Sequence, residues 1–326
     1  MQSLQVNVTS SSNLVMNFSK PLLLVKVLVV QVLVGIFLYV NCLMIFSFLK
    51  KDMFREDTRY ILFAQTLFVD STLMILSNML MVASSYQYCI NVFCCLIICT
   101  VVSVLNSCTP LTLVAMCLER YVAICMPLRH ADISTSRTRL FGFLVIWGIS
   151  SMPALFTFIA YLTVVQSGTL SYYTICSVEV ALGEEWQAQT RVIILQILFL
   201  LITIIIVFTY FKIMTAARAA SLENKKSANK CLRTVLLHAF QLFLCIMRFL
   251  TPYIEMAFWK ADAAVLYNLK YCNFIIFLIA PRCLSPLIYG VRDEKFFLVL
   301  KHYAMCGLSF SQLWSPTCLS MMCVIG

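Results

Sequence analysis

The stretch Met116-Cys117-Leu118-Glu119-Arg120-Tyr121-Val122-Ala123-Ile124-Cys125-Met126-Pro127-Leu128-Arg129-His130 sets an acid beside a base directly after a long apolar run. Charges at such a point mark either a membrane boundary, where long side chains snorkel to water, or a working site. The rest of the chain narrows the choice. Of 326 residues, 62% are hydrophobic and 12% charged. A soluble domain of that length needs far more polar surface, so lipid is the solvent for much of this one. The net charge of +10 falls in short clusters between apolar runs and makes no continuous basic face. That pattern reads as membrane topology and speaks against a nucleic-acid partner.

Crossing the hydrocarbon core takes about 20 apolar residues in a helix. Runs of that length cover approximately 22–49, 60–82, 91–119, 139–163, 191–214, 234–258 and 264–290. Their length excludes a β-barrel and predicts an all-α membrane protein, a seven-helix bundle over 22–290. Residues 1–21 would form an extracellular segment and 291–326 a cytoplasmic tail. The polar start lacks the apolar core of a cleavable signal, so the first run reads as an uncleaved signal-anchor. Lysine and arginine set the orientation. Lys50, Lys51, Arg55 and Arg59 occupy the first loop, Arg120, Arg129, Arg137 and Arg139 the third, and Lys212, Arg218, Lys225, Lys226, Lys230 and Arg233 the fifth. The opposite loops carry Glu179, Glu184, Glu185 and Asp262. The N-terminus is therefore expected outside and the C-terminus in the cytoplasm. Two glycosylation sequons, at Asn7 and Asn17, agree with that placement.

Most of the 16 cysteines lie inside apolar runs, where a thiol behaves as a small hydrophobe. No CxxC pair meets a histidine pair at zinc-ligand spacing, which leaves room for one or two bridges in the outer loops and for no metal or other cofactor. No pair of the kind an intramembrane enzyme needs is present, since His238 lacks a serine or acid partner, so no catalytic residue is assigned. The absence of internal symmetry weighs against a transporter. Val291 to His302 sets apolar residues at helical spacing between basic flanks, as in a short amphipathic eighth helix lying on a leaflet, with Cys306 placed for palmitoylation.

The string Glu-Arg-Tyr-Val-Ala-Ile-Cys-x-Pro-Leu, Glu119 to Leu128, resembles the E/D-R-Y motif of rhodopsin-like G-protein-coupled receptors in its extended odorant-receptor form. Asn41, Asp70, Trp147 and Tyr210 fall in the runs where that family expects them. Ser285-Pro286-Leu287-Ile288-Tyr289 looks like the N-P-x-x-Y motif with Ser for Asn, and Lys230 to His238 is a loose version of an odorant-receptor string. Arg129 to Ser134, Glu223 to Lys226 and Ala280 to Pro286 look like the teleost odorant-receptor branch. Two departures stand out: the sixth run lacks the C-W-x-P motif, and the second outer loop offers only Cys176.

The resemblance implies a plasma-membrane receptor for a small-molecule odorant that couples to a heterotrimeric G protein, with membrane lipid as its solvent. A seven-helix receptor for another ligand is the nearest alternative. Glu119, Arg120, Tyr121, Tyr210, His238, Pro286 and Tyr289 are then the coupling and switch residues. A disulfide from Cys176 to Cys95 is implied, with Cys94 as the neighbour that a shifted count would select. Asp70 would face a sodium site, but Arg282, one turn before Pro286, is placed to neutralise it, unless it pairs with lipid phosphate instead. A largely apolar pocket would be lined by Val102, Ser103 and Asn106, by Phe249 and Tyr253, and by Tyr271 and Ile275, although helix packing is the more ordinary role for each of them. Arg248, Glu255 and Lys270 either meet a charged odorant or sit at the interface.

Overall fold

The computed structural model describes residues 2–50, 54, 57–129, 135–164, 172–176, 185–220, 240, 243–244, 247, 251, 254, 258 and 263–284, with side chains from 23 onward except at 164, 185, 188, 217–220 and 263–264. Helix α1 spans Gln2–Lys50, α2 Thr58–Ser85, α3 Val92–Cys125, α4 Ser136–Val164, α5 Glu185–Ala220 and α6 Ala263–Asn273. A π-helical stretch, Phe274–Ile279, continues α6, and helix runs on to 284. Five of these helices, α1 to α5, are long and apolar enough to cross a membrane. Helix α6 and its π extension fill the first part of the seventh apolar run. The sixth run lies mostly outside the described residues.

Helix α3 is the central element and packs on α2, α4 and α5, while α1 packs on α2. The main core joins Phe63, Leu67 and Leu73 of α2 to Leu105, Cys108, Leu113 and Met116 of α3 and Ile146 of α4. A second cluster links Val30 and Val34 of α1 with Met74, Ile279 and Cys283. Large apolar side chains such as Leu28, Val32, Leu144, Ile159, Ile197 and Ile204 are exposed. On a water-soluble protein such faces would drive aggregation, whereas lipid covers them here without cost.

Hydroxyl groups inside the spans bond back to their own helices: Thr66 donates to the Leu62 carbonyl, Ser150 to Ile146 and Thr157 to Pro153. With no water at that depth, a side chain must find its acceptor in protein. Helix starts are capped in the ordinary way. Asp57 accepts from the Arg59 amide at 2.9 Å. Asn91 accepts from the amides of Phe93 and Cys94.

Two short strands were not expected. β1 (Cys89–Asn91) pairs antiparallel with β2 (Tyr173–Ile175), with Ile90 opposite Thr174. This ladder caps the end of the bundle away from Glu119. Gln87 turns the chain from α2 into β1 with a positive φ of 55°. Helix α3 stops at Cys125, and Met126 caps it by donating to the Val122 carbonyl. Pro127 follows, as expected of a residue whose ring disfavours helix in the position before it.

Candidate functional site

Three constellations share the bundle. The deepest is built on Asp70, in the middle of α2. Its Oδ1 accepts from the Thr109 hydroxyl of α3 at 2.8 Å and lies 3.5 Å from Arg282 Nε. Arg282 also donates to the Leu278 carbonyl at 2.6 Å and to Asn106 Oδ1 at 3.1 Å. One guanidinium thus ties the α6 extension to both α2 and α3. The acid is 1% exposed and the base 3%. A lone carboxylate at this depth costs about 2.5–3.5 kcal/mol on insertion scales, and a fork of donors is the chemistry that offsets it. The π stretch helps to aim the fork. One extra residue in a turn rotates everything after it by roughly 100° about the helix axis, and Arg282 lies three residues beyond the end of that stretch.

Asn41 of α1 extends the polar interior by donating to Ser71 Oγ at 3.0 Å. Nearer the ladder, Gln31 and Asn78 exchange two hydrogen bonds of 2.8 and 2.9 Å between α1 and α2. Lys26 of α1 donates to Asn268 Oδ1 and sits over the rings of Tyr267 and Tyr271, 5.0 and 5.5 Å from their centres.

The second constellation is at the far end of α3. Arg120 Nε lies 3.9 Å from Glu119 Oε2, with the two side chains 29% and 12% exposed. The Tyr121 ring faces Phe208 of α5 at 6.3 Å, and the Cys125 thiol meets the Lys212 carbonyl at 3.9 Å. Tyr210 is half-buried between those two α5 positions.

The third is the disulfide Cys95–Cys176, which ties the first turn of α3 to the residue after β2 across 81 positions. Cys94 is exposed and free. The bridge and the ladder reinforce one another, because the Val92 amide donates to the Tyr172 carbonyl beside it. Cys99, one turn below, places its sulfur 3.9 Å from each bridged sulfur. The three sulfurs are grouped closely enough to hold a metal ion. Two of them are consumed by the bridge, however, so only Cys99 has a thiol to offer.

Residues 40–289 match the family described as 7 transmembrane receptor (rhodopsin family). The chain belongs to that family. It is also 52% identical over 303 residues, 93% of each chain, to Odorant receptor 131-2 of Danio rerio. As a rhodopsin-family receptor it is a multi-pass membrane protein and not an enzyme.

The receptor's structure brings some of the sequence-selected residues together and scatters others. Asp70 and Arg282 meet, as do Glu119 and Arg120 and the two bridged cysteines. Asn106, expected on the pocket wall, is engaged by Arg282 and so joins α3 to the interior ion pair. Val102 packs on the main core, and Ser103 is half-buried. Tyr271 and Ile275 pack with Val30 and Val34 of α1. His238, Arg248, Phe249, Tyr253, Glu255, Pro286, Tyr289 and Cys306 lie outside the described residues, as do the side chains of Asn7 and Asn17. Thr109 escaped the sequence reading, although its place one helical turn from Asn106 on an inward-facing stripe of α3 was the signal that could have found it.

Proposed function

We propose that this receptor is a chemosensory receptor of the odorant type. It binds a small molecule in the half of the bundle that carries the disulfide, and it activates a heterotrimeric G protein stimulatory toward adenylyl cyclase. The observation that carries the reading is the 52% identity to a zebrafish odorant receptor over 93% of both chains. The Glu119–Arg120 pair at the opposite end of α3 supports the direction of signalling. In this reading the disulfide end faces outward, at the surface of an olfactory neuron, and the Glu119 end faces the cytoplasm. The sequons at Asn7 and Asn17 then lie outside, and the amphipathic segment from Val291 with Cys306 lies on the inner leaflet.

Ligand shifts the receptor toward its active state only through tighter binding to that state. Arg120, released from Glu119, then engages the G protein, and the two partners raise one another's affinity. Asp70 and Arg282 serve a different end. The guanidinium supplies the positive charge that a sodium ion would bring, so ligand binding is independent of sodium. Their near-complete burial also argues against a transporter, which needs its intramembrane charges on a water path.

The reading is tested by cyclic AMP in transfected cells exposed to a panel of amino acids, bile acids, steroids and amines, beside flux of the same compounds. A cyclic AMP response to at least one compound is expected. Flux without cyclic AMP would refute the reading.

A further inference from the structure

The third constellation holds one more sulfur than its bridge uses. Cys95 and Cys99 are four residues apart on α3, which stacks them on one face of the helix, about 6 Å apart along its axis. Cys176 meets that face from the residue after β2. All three are buried, at 1%, 6% and 4% exposure, with Leu80 of α2 and Ile90 of β1 packed against them. Cys89 and Cys94, close by in sequence, are exposed and free.

Cys99 Sγ lies 3.9 Å from Cys95 Sγ and 3.9 Å from Cys176 Sγ, so it touches both halves of the bond. Burial keeps dissolved thiols away from it, whereas the bridge is already at its side. A thiol held against a disulfide has an exchange reaction open to it. Cys99 gives up its proton, its sulfur bonds to Cys176, the Cys95–Cys176 bond breaks, and the released Cys95 sulfur takes the proton. One disulfide and one thiol are present before and after, so no oxidant or reductant enters.

At equal distances from the two sulfurs, Cys99 stands beside the bond and not in line with it. Displacement therefore needs a side-chain rotation, and closing 3.9 Å to bonding distance takes a movement of about 2 Å. A change of rotamer supplies a shift of that size. The helix decides which sulfur is the new partner. It holds Cβ atoms four residues apart at about 5–6 Å, against about 3.5–4.5 Å in a disulfide, and so opposes a bond between Cys95 and Cys99. Cys176, on the loop, is the end that exchanges.

We propose that Cys99 is a second bonding partner for Cys176, so that the loop carrying β2 has two anchor points on α3, one helical turn apart. Exchange moves the anchor about 6 Å toward the middle of α3 and draws the end of β2 down into the bundle. The change runs on the minutes-to-hours scale of uncatalysed disulfide rearrangement, so it sets a resting position of the loop and does not follow each binding event. Neither anchor depends on which ligand the receptor takes.

The test is disulfide mapping of the purified full-length receptor in detergent micelles. Free thiols are blocked with N-ethylmaleimide in mild acid, which stops exchange. Chymotrypsin then cuts after Phe93 and Leu96 and puts Cys99 on a different peptide from Cys94 and Cys95. In Cys95→Ser treated with oxidised glutathione, Cys176 is expected on the Cys99 peptide in at least about tenfold excess over the Cys94 peptide. The parent, held in alkaline buffer without added thiol or oxidant, should gain the Cys99–Cys176 bond as a minor form of about 0.1–10%, with an equal share of Cys95 opened to N-ethylmaleimide. Cys99→Ala under the same conditions should keep Cys95 closed. If Cys95→Ser fails to fold, the parent and Cys99→Ala still decide. Cys176 left free or bonded to Cys94 in Cys95→Ser would overturn the proposal. So would a parent whose Cys95 stays fully bonded, or a Cys95 that opens equally in Cys99→Ala.

Discussion

Asp70 and Arg282 reach across helices to within 3.5 Å and are 1% and 3% exposed. Glu119 and Arg120 are chain neighbours, 3.9 Å apart and 12% and 29% exposed. The same chemistry has opposite consequences in the two places. Where water is excluded, removing either partner leaves a charge with nothing to solvate it, so the interior pair is fixed. At the Glu119 end the side chains are only partly covered, at 12% and 29% exposure, and their contact is longer, at 3.9 Å, so the pair is the weaker one and the easier to open. The first pair is suited to holding three helices together and the second to switching.

Breaking the interior pair should therefore have the largest effect. Arg282→Ala is expected to lower stability by about 3–5 kcal/mol, read as a fall in melting temperature and in surface expression. Adding Asp70→Asn removes the stranded carboxylate and should recover most of the loss. If the double variant were no better than the single one, the pair would not be what holds α2 and α3 to the α6 extension.

Arg120→Ala comes next, with the loss placed in signalling and not in folding. Ligand-stimulated cyclic AMP should vanish while the melting temperature stays within the shift that about 1 kcal/mol produces. A large drop in melting temperature would move Arg120 into the structural class of Arg282.

Sodium gives a smaller and sharper contrast. Replacing sodium by choline should leave the parent's ligand affinity unchanged, because a guanidinium already occupies the partner position of Asp70. In Arg282→Ala the carboxylate is open to a cation, and sodium dependence should appear. Strong sodium dependence in the parent would contradict the assignment.

The two pairs were unequally legible in the sequence. Glu119–Arg120 stood out because adjacent charges after an apolar run need no fold to bring them together. Asp70 and Arg282 are 212 residues apart, and only depth and helical phase suggested their meeting. The long apolar runs fixed five spans through length alone, while the Cys95–Cys176 pairing came through family resemblance. Other features left no trace. A three-residue strand such as Tyr173–Ile175 is too short to show alternation. Phe274–Ile279 reads as FIIFLI, which fits an α-helix as well as a π turn. The bond from Arg282 to Asn106 was not legible either, because a reach from another helix has no local signature.

The contrast between a fixed pair and a releasable one is tested most directly by ligand-free signalling. Basal cyclic AMP per surface receptor is measured for the parent, for Glu119→Gln and for the Asp70→Asn/Arg282→Ala double variant. Glu119→Gln should raise it about two- to fivefold, the range that up to about 1 kcal/mol allows, and the double variant should not. No rise for Glu119→Gln at equal surface expression, or an equal rise in both, would contradict the account.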